Sequence, residues 1–256
     1  MSFKGKRLWS PITVRSHVVQ ALVDTGAGAS VLPRKLLRGE TIVDEWNIIT
    51  PLGSRMEPIV APAGVELNGQ KLDGTKFVAS KTRFPIIGNN ILFAHGGLLL
   101  GRDGIKFGPR VDNARPLASV NAIVTYGESD LSHSVERVAV SLLIDGVPQK
   151  AFIDTGLRTV MAATASAPLP SGSAAKGFDL KFNALGQFKP ATYYKRSAKI
   201  MIGEKEMEFP YRQFSSDRFG TEPFVIGGGI LEFFDLHIDA HSKVVSFFES
   251  GEAFRD

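Results

Sequence analysis

Two identical triplets stand 130 positions apart, Asp24-Thr25-Gly26 and Asp154-Thr155-Gly156. A carboxylate held at a turn can take up or release a proton, so the two aspartates are the first candidates for acid–base chemistry. Asp, Thr and Gly are also ordinary turn formers, and one such triplet alone reads as a turn. Two copies in matched surroundings read differently. Each follows a short apolar run, Ala21-Leu22-Val23 and Ala151-Phe152-Ile153, and each precedes an apolar-apolar-Gly step, ending at Gly88 and at Gly227.

The elements that must position these turns repeat in the same order. Gln20 to Ala27 matches Lys150 to Leu157. The Leu52-Gly53 step matches Leu185-Gly186, each inside a stretch able to form an extended hairpin. Residues 65–72 and 200–207 both alternate around a Gly-containing tight turn, the short-range signature of a β-hairpin. Phe84-Pro-Ile-Ile-Gly88-Asn-Asn-Ile-Leu92 matches Phe224-Val-Ile-Gly227-Gly-Gly-Ile-Leu231. The offsets between matched glycines and aspartates grow slowly, from 130 through 133 to 139, as small loop insertions would make them. Short β-branched and aromatic runs between Gly, Pro, Asn and Asp clusters indicate mostly strands, and Val138 to Ile144 followed by Asp145-Gly146 is the clearest hairpin entry. Short helices are expected after Gly88 and Gly227, over residues 90–94 and 230–234, where the alternation stops. Residues 113–134, rich in Pro, Ser, Asn and Gly with one strand-like piece at 122–126, read as a connection between halves that can add a strand to a shared sheet.

Composition narrows the function classes. The 256 residues are 43% hydrophobic and 22% charged, with 26 glycines and 14 prolines, which fits a turn-rich globular protein long enough for two cores. The net charge is +4 with Lys and Arg scattered, so no electrostatic footprint for nucleic acid is present. Cysteine is absent, which excludes disulfides and thiolate metal sites. His95, His133 and His237 share no metal-ligand spacing, so no metal is expected. No run of 18 apolar residues occurs, hence no spanning helix is expected. The first twenty residues lack the apolar core of a secretory signal, and a cytoplasmic location is the expectation.

At the two triplets the sequence resembles the aspartic peptidases of the retropepsin and pepsin type. The first half carries the closer match, Ala-Leu-Val-Asp24-Thr-Gly-Ala-Gly-Ala-Ser-Val-Leu followed by Ile-Ile-Gly88-Asn-Asn-Ile-Leu. The resemblance implies an all-β fold of two retropepsin-like barrel lobes related by pseudo-twofold symmetry, with short helices. The expected lobes are residues 1–112 and 135–256, joined by 113–134. It implies a dyad of Asp24 and Asp154, in which one carboxylate activates a water and the other, protonated, polarises the peptide carbonyl. Thr25 and Thr155 would bond across the lobes. Gly26 and Gly156 would let backbone approach the carboxylates, and Gly88 and Gly227 would lie in the strand beneath the catalytic loop. Gly53 and Gly186 are flap candidates with surface turns as the alternative, and Ala27 and Leu157 are candidates for contact with substrate. A protein or peptide substrate, no cofactor and activity as a monomer follow from the same resemblance.

The second half departs from the family pattern. Leu157 stands where a small residue is usual and would intrude near the scissile bond. Arg158 follows as a cation able to lower the dyad's pKa or to bind an acidic side chain. Gly227-Gly228-Gly229 removes a side chain that could brace the loop. Two further readings therefore stay open: a pseudo-peptidase that binds extended peptides or a partner without cutting, and a homodimer of first halves with the second half as a cap.

Overall fold

The structure is a computed structural model that describes residues 2–3, 5–50, 53–108, 114–127, 135–168, 175–182, 188–214 and 222–254. Its hairpins form where the turn chemistry allows them. Asn68-Gly69 and Asp145-Gly146 adopt paired positive φ values of 52° and 78°, and 51° and 76°. That left-handed pair matches the twist of the flanking strands, which is why Asn-Gly and Asp-Gly occur at two-residue hairpins. The strands entering the triplets, His17–Val23 and Val147–Asp154, carry the same burial pattern: an exposed start and three buried residues just before the aspartate. Each aspartate is thus anchored by an apolar segment sunk in the core, in which Leu22, Val23, Phe152 and Ile153 each contribute roughly 1.5–3 kcal/mol.

The pairings around the triplets repeat in both halves. Ile86–Ile87 lies parallel to His17–Val23, with Ile87 opposite Val23, and antiparallel to Val31–Pro33. Phe224–Gly227 lies parallel to Val147–Asp154, with Gly227 opposite Asp154, and antiparallel to Met161–Ala163. In each lobe a central strand therefore sits between the strand entering the Asp-Thr-Gly turn and the strand leaving it. All four residues of Phe224–Gly227 are buried, which explains an apolar run without alternation. A short helix follows each central strand, Asn89–Leu92 and the 3₁₀ turn Gly228–Glu232. Both start earlier than the loss of alternation suggested, directly after the glycine, because backbone bonds such as Leu92 N–H to Gly88 O (3.0 Å) recruit the glycine itself.

Among the described residues two sheets build the fold, one of 10 strands and one of 12. The second draws on both halves, since Gly97–Gly101 pairs with Phe234–Asp239. The connection contributes more than the short piece expected. Ala118–Tyr126 is a nine-residue strand whose first part pairs with Val244–Glu249 and whose second pairs with Val135–Ile144. Two long hairpins project from the sheets. Ile42–Thr50 pairs with Gly53–Val60, Thr50 opposite Gly53. Ala175–Phe182 pairs with Phe188–Ile202, Phe182 opposite Phe188. Gly53 opens the returning strand of the first hairpin, whereas residues 51–52 at its turn and Gly186 in the second lie outside the described residues, as does His133. Among the described residues no helix is long and apolar enough to cross a membrane.

Candidate active site

The two triplets meet between the lobes, and four buried hydrogen bonds join them. Thr25 donates its hydroxyl to Ile153 O (2.9 Å) and accepts from Thr155 N–H (3.1 Å). Thr155 mirrors this, donating to Val23 O (3.0 Å) and accepting from Thr25 N–H (3.1 Å). The threonines are 1% and 0% exposed. A hydroxyl serves here because its single oxygen both donates and accepts. Leaving one of these buried partners unpaired costs about 1–3 kcal/mol.

This clasp sets the carboxyls face to face. A β-carbon built on Gly26 would lie 2.5 Å from Asp154 Cγ, and one on Gly156 would lie 2.5 Å from Asp24 Cγ. Each glycine of one triplet is therefore the wall against which the other aspartate rests, and no larger residue fits. Gly26 N–H donates to Asp24 Oδ1 (2.9 Å) and Leu157 N–H to Asp154 Oδ1 (3.2 Å). Gly88 and Gly227 lie under the loops: a β-carbon on Gly88 would meet Ala27 O at 2.6 Å, and one on Gly227 would strike Thr159 O.

Both carboxyls are half-buried, with an edge at the surface and protein packed densely around the rest. That packing, first of all, pushes Asp24 and Asp154 above the usual carboxylate range. Asp154 is pushed well above it, because the neighbouring charge and hydrogen bond of Asp24 add to burial. At Asp24 the Gly26 N–H, the Asp154 carboxyl and the Arg7 guanidinium oppose the burial effect. The pair is suited to hold one proton between two oxygens, the condition for using one member as base and the other as acid.

The departures in the second half look different in three dimensions. Leu157 is half-buried against Phe152, Ala162, Tyr193, Phe214 and Val225, so its bulk is taken up by an apolar cluster of its own lobe. Arg158 is exposed, and the cation whose charge acts on Asp24 is Arg7. Ala27 is half-buried beside the first triplet and packs against the cluster of Leu22, Val31, Ile59, Val78 and Ile86.

Several supporting side chains escaped the sequence reading. Asn90 Oδ1 accepts from Ser30 N–H (2.8 Å) and Ser30 Oγ (2.7 Å), and Asn89 Nδ2 donates to Thr25 O (3.0 Å) and Glu136 O (2.9 Å). These amides brace the loop of the first triplet, and the Asn-Asn pair after Gly88 was their visible trace. Glu57, fully buried on the returning strand of the first hairpin, accepts from Arg34 (2.7 Å) and Ser80 (3.0 Å) and forms an ion pair with Arg55 (3.1 Å). In the second lobe the buried Gln213, at the register position of Ser80, accepts from Arg196 Nε (2.7 Å). His95 and His237 lie apart, and no cluster of His, Asp or Glu able to hold a metal occurs among the described residues.

No family model matches the chain, and no curated protein matches it. Solved structures do. One is the foamy viral protease-reverse transcriptase in complex with an RNA/DNA hybrid, 23% identical over 32% of this chain with a TM-score of 0.30; the chain spans only 11% of that one. Another is the aspartic proteinase from Irpex lacteus, 11% identical with a TM-score of 0.58, covering 98% of this chain and 96% of that one. Over its full length, then, the chain has the fold of a pepsin-like aspartic proteinase.

Proposed function

We propose that this chain is an aspartic endopeptidase in which Asp24 and Asp154 jointly activate a water for attack on a peptide bond. The lobes are residues 1–112 and 135–256, joined through 113–134, and one chain makes one site. An extended peptide lies beneath the two long hairpins, held by main-chain hydrogen bonds, with alternate side chains entering pockets on either side. Residues near Gly53 and Gly186 close over it, and Ala27 and Leu157 flank the reacting bond. No cofactor takes part.

The observation that carries this reading is the contact of two half-buried carboxyls on mirrored loops, each walled by the other loop's glycine. Gathering two carboxylates costs desolvation and mutual repulsion, a cost that a passive peptide-binding groove has no use for. Digestion of a denatured peptide library between pH 3 and 8, with cut sites read by mass spectrometry, tests the proposal. Cleavage is expected from acidic to near-neutral pH, falling as the pair loses its shared proton. Asp24→Asn and Asp154→Asn should each lower it by roughly a thousandfold or more. A wild-type protein that binds such peptides and cuts none would replace this reading with that of a binding module.

A further inference from the structure

The two catalytic loops have matched backbones and unmatched supports. In the first lobe the position after the central-strand glycine is Asn89, whose amide ties Thr25 O to Glu136 O. In the second lobe the same position is Gly228. A β-carbon there would lie 2.5 Å from Thr155 O and 3.0 Å from Lys6 O, so the space that the asparagine side chain occupies in one lobe is filled in the other by the N-terminal segment. Gly5 and Lys6 both take left-handed φ, 59° and 61°, unusual for a lysine. Lys6 Nζ is fastened to Glu232 Oε2 at 3.1 Å, and from this anchored turn Arg7 Nε donates to Gly156 O at 2.8 Å.

Gly156 is the residue that walls Asp24, so Arg7 is bonded to the peptide that abuts that carboxyl. The exposure of the two glycines shows the asymmetry: Gly156 is buried, whereas Gly26, with no such partner among the described residues, is exposed. Deepening the peptidase reading, we propose that Arg7 is a positioning residue for the dyad, clasping the second catalytic loop and assigning the negative charge to Asp24 and the shared proton to Asp154. A guanidinium keeps its charge at every working pH. The charged groups facing it are Asp24 and Asp154 across the cleft and Arg158 on the adjoining loop. On the first lobe's side Glu136 approaches Gly28, with its Cγ 3.6 Å from where a β-carbon would sit. Burial and Arg158 lower the pKa of Arg7, while the aspartates, Asp24 ahead of Asp154, pull it back. The same preference appears at Asp24, where Arg7 works against the upward push of burial.

Titration of ¹³C-carboxyl aspartate resonances, assigned through Asp24→Asn and Asp154→Asn, reads this charge assignment without any substrate. In the wild type Asp24 should ionise first. In Arg7→Gln that first ionisation should move up by about one pH unit, at the low end of what a nearby full charge produces. Arg7→Lys should restore part of the shift. In parallel, the acid limb of kcat/KM for peptide cleavage should move with the titration. Asp154 ionising first in the wild type overturns the proposal, and that readout stands even if Arg7→Gln does not fold. A folded Arg7→Gln with an unmoved first ionisation overturns it as well. A wild type that titrates as described yet cleaves nothing removes the peptidase reading and leaves the role of Arg7 intact.

Discussion

At the scale of single residues, the site depends on what is missing. Gly26 and Gly156 contribute no side chain, and that absence lets each carboxyl rest against the opposite loop. Gly26→Ala and Gly156→Ala each drive a methyl group to 2.5 Å from a carboxyl carbon, far inside contact distance. The obstacle is the side chain on which the chemistry depends, and it is held by the clasped loops, so the loops must part. Each variant should lose at least about a hundredfold in kcat/KM and roughly 1–3 kcal/mol of stability, the usual cost of overpacking. Peptide assays with thermal melts at one pH check both numbers. Retention of full activity by either variant would mean that the loops yield more easily than their four buried hydrogen bonds imply.

At the scale of elements, the sheet shared by both halves carries a second buried carboxyl with its own pH dependence. Asp235 lies on Phe234–Asp239 and is 0% exposed. Its Oδ2 accepts from Gly251 N–H (2.9 Å) and Ala253 N–H (3.2 Å), which holds the turn after the last strand, while Oδ1 has no partner among the described residues. Burial raises its pKa to about 6, the two N–H bonds oppose the rise, and Asp103 and Glu252 add to it. A carboxyl whose folded pKa is raised stabilises the fold fully below its unfolded value and loses that contribution as pH climbs through the folded one. Stability should therefore fall between about pH 4 and pH 6 by up to ~3 kcal/mol, at 1.36 kcal/mol per pH unit, and this contribution should level off above that. Asp235→Asn should remove most of this decline. Chemical denaturation at pH 4, 5, 6 and 7 measures it, and equal slopes in wild type and variant would show that Asp235 is not the group responsible.

At the scale of the whole molecule, the halves are interlocked. Gly97–Gly101 from the first half is paired with Phe234–Asp239 from the second, and Asn89 of the first half donates to Glu136 O of the second. A site built between halves so joined should not depend on a second chain. Specific activity should stay constant on dilution, and mixing Asp24→Asn with Asp154→Asn should not restore cleavage. A homodimer of first halves would behave otherwise, with Asp154→Asn active and activity falling as the dimer dissociates. Activity measured over a wide dilution range separates the two.

What the amino-acid order determined by itself is local. Asn68-Gly69 and Asp145-Gly146 dictate hairpins because few other pairs accept two successive positive φ values. The apolar runs before Asp24 and Asp154 dictate buried strands, and the repeated steps at Gly88 and Gly227 mark the central strand of each lobe. Such signals act within a few residues, through steric limits and side-chain periodicity. Tertiary structure decided everything that depends on the path of the chain. Arg7 reaches the Gly156 carbonyl across 149 residues of sequence, and nothing beside Arg7 in the sequence distinguishes it from the other scattered cations. The buried anchor at Glu57 is equally unmarked, since its partners Arg34, on the 3₁₀ turn Arg34–Leu36, and Ser80, at the end of the strand Phe77–Ser80, are brought together only by folding. Leu157, bulky on paper at a place meant for a small residue, found room because Tyr193 and Phe214, from strands far along the chain, close a pocket around it.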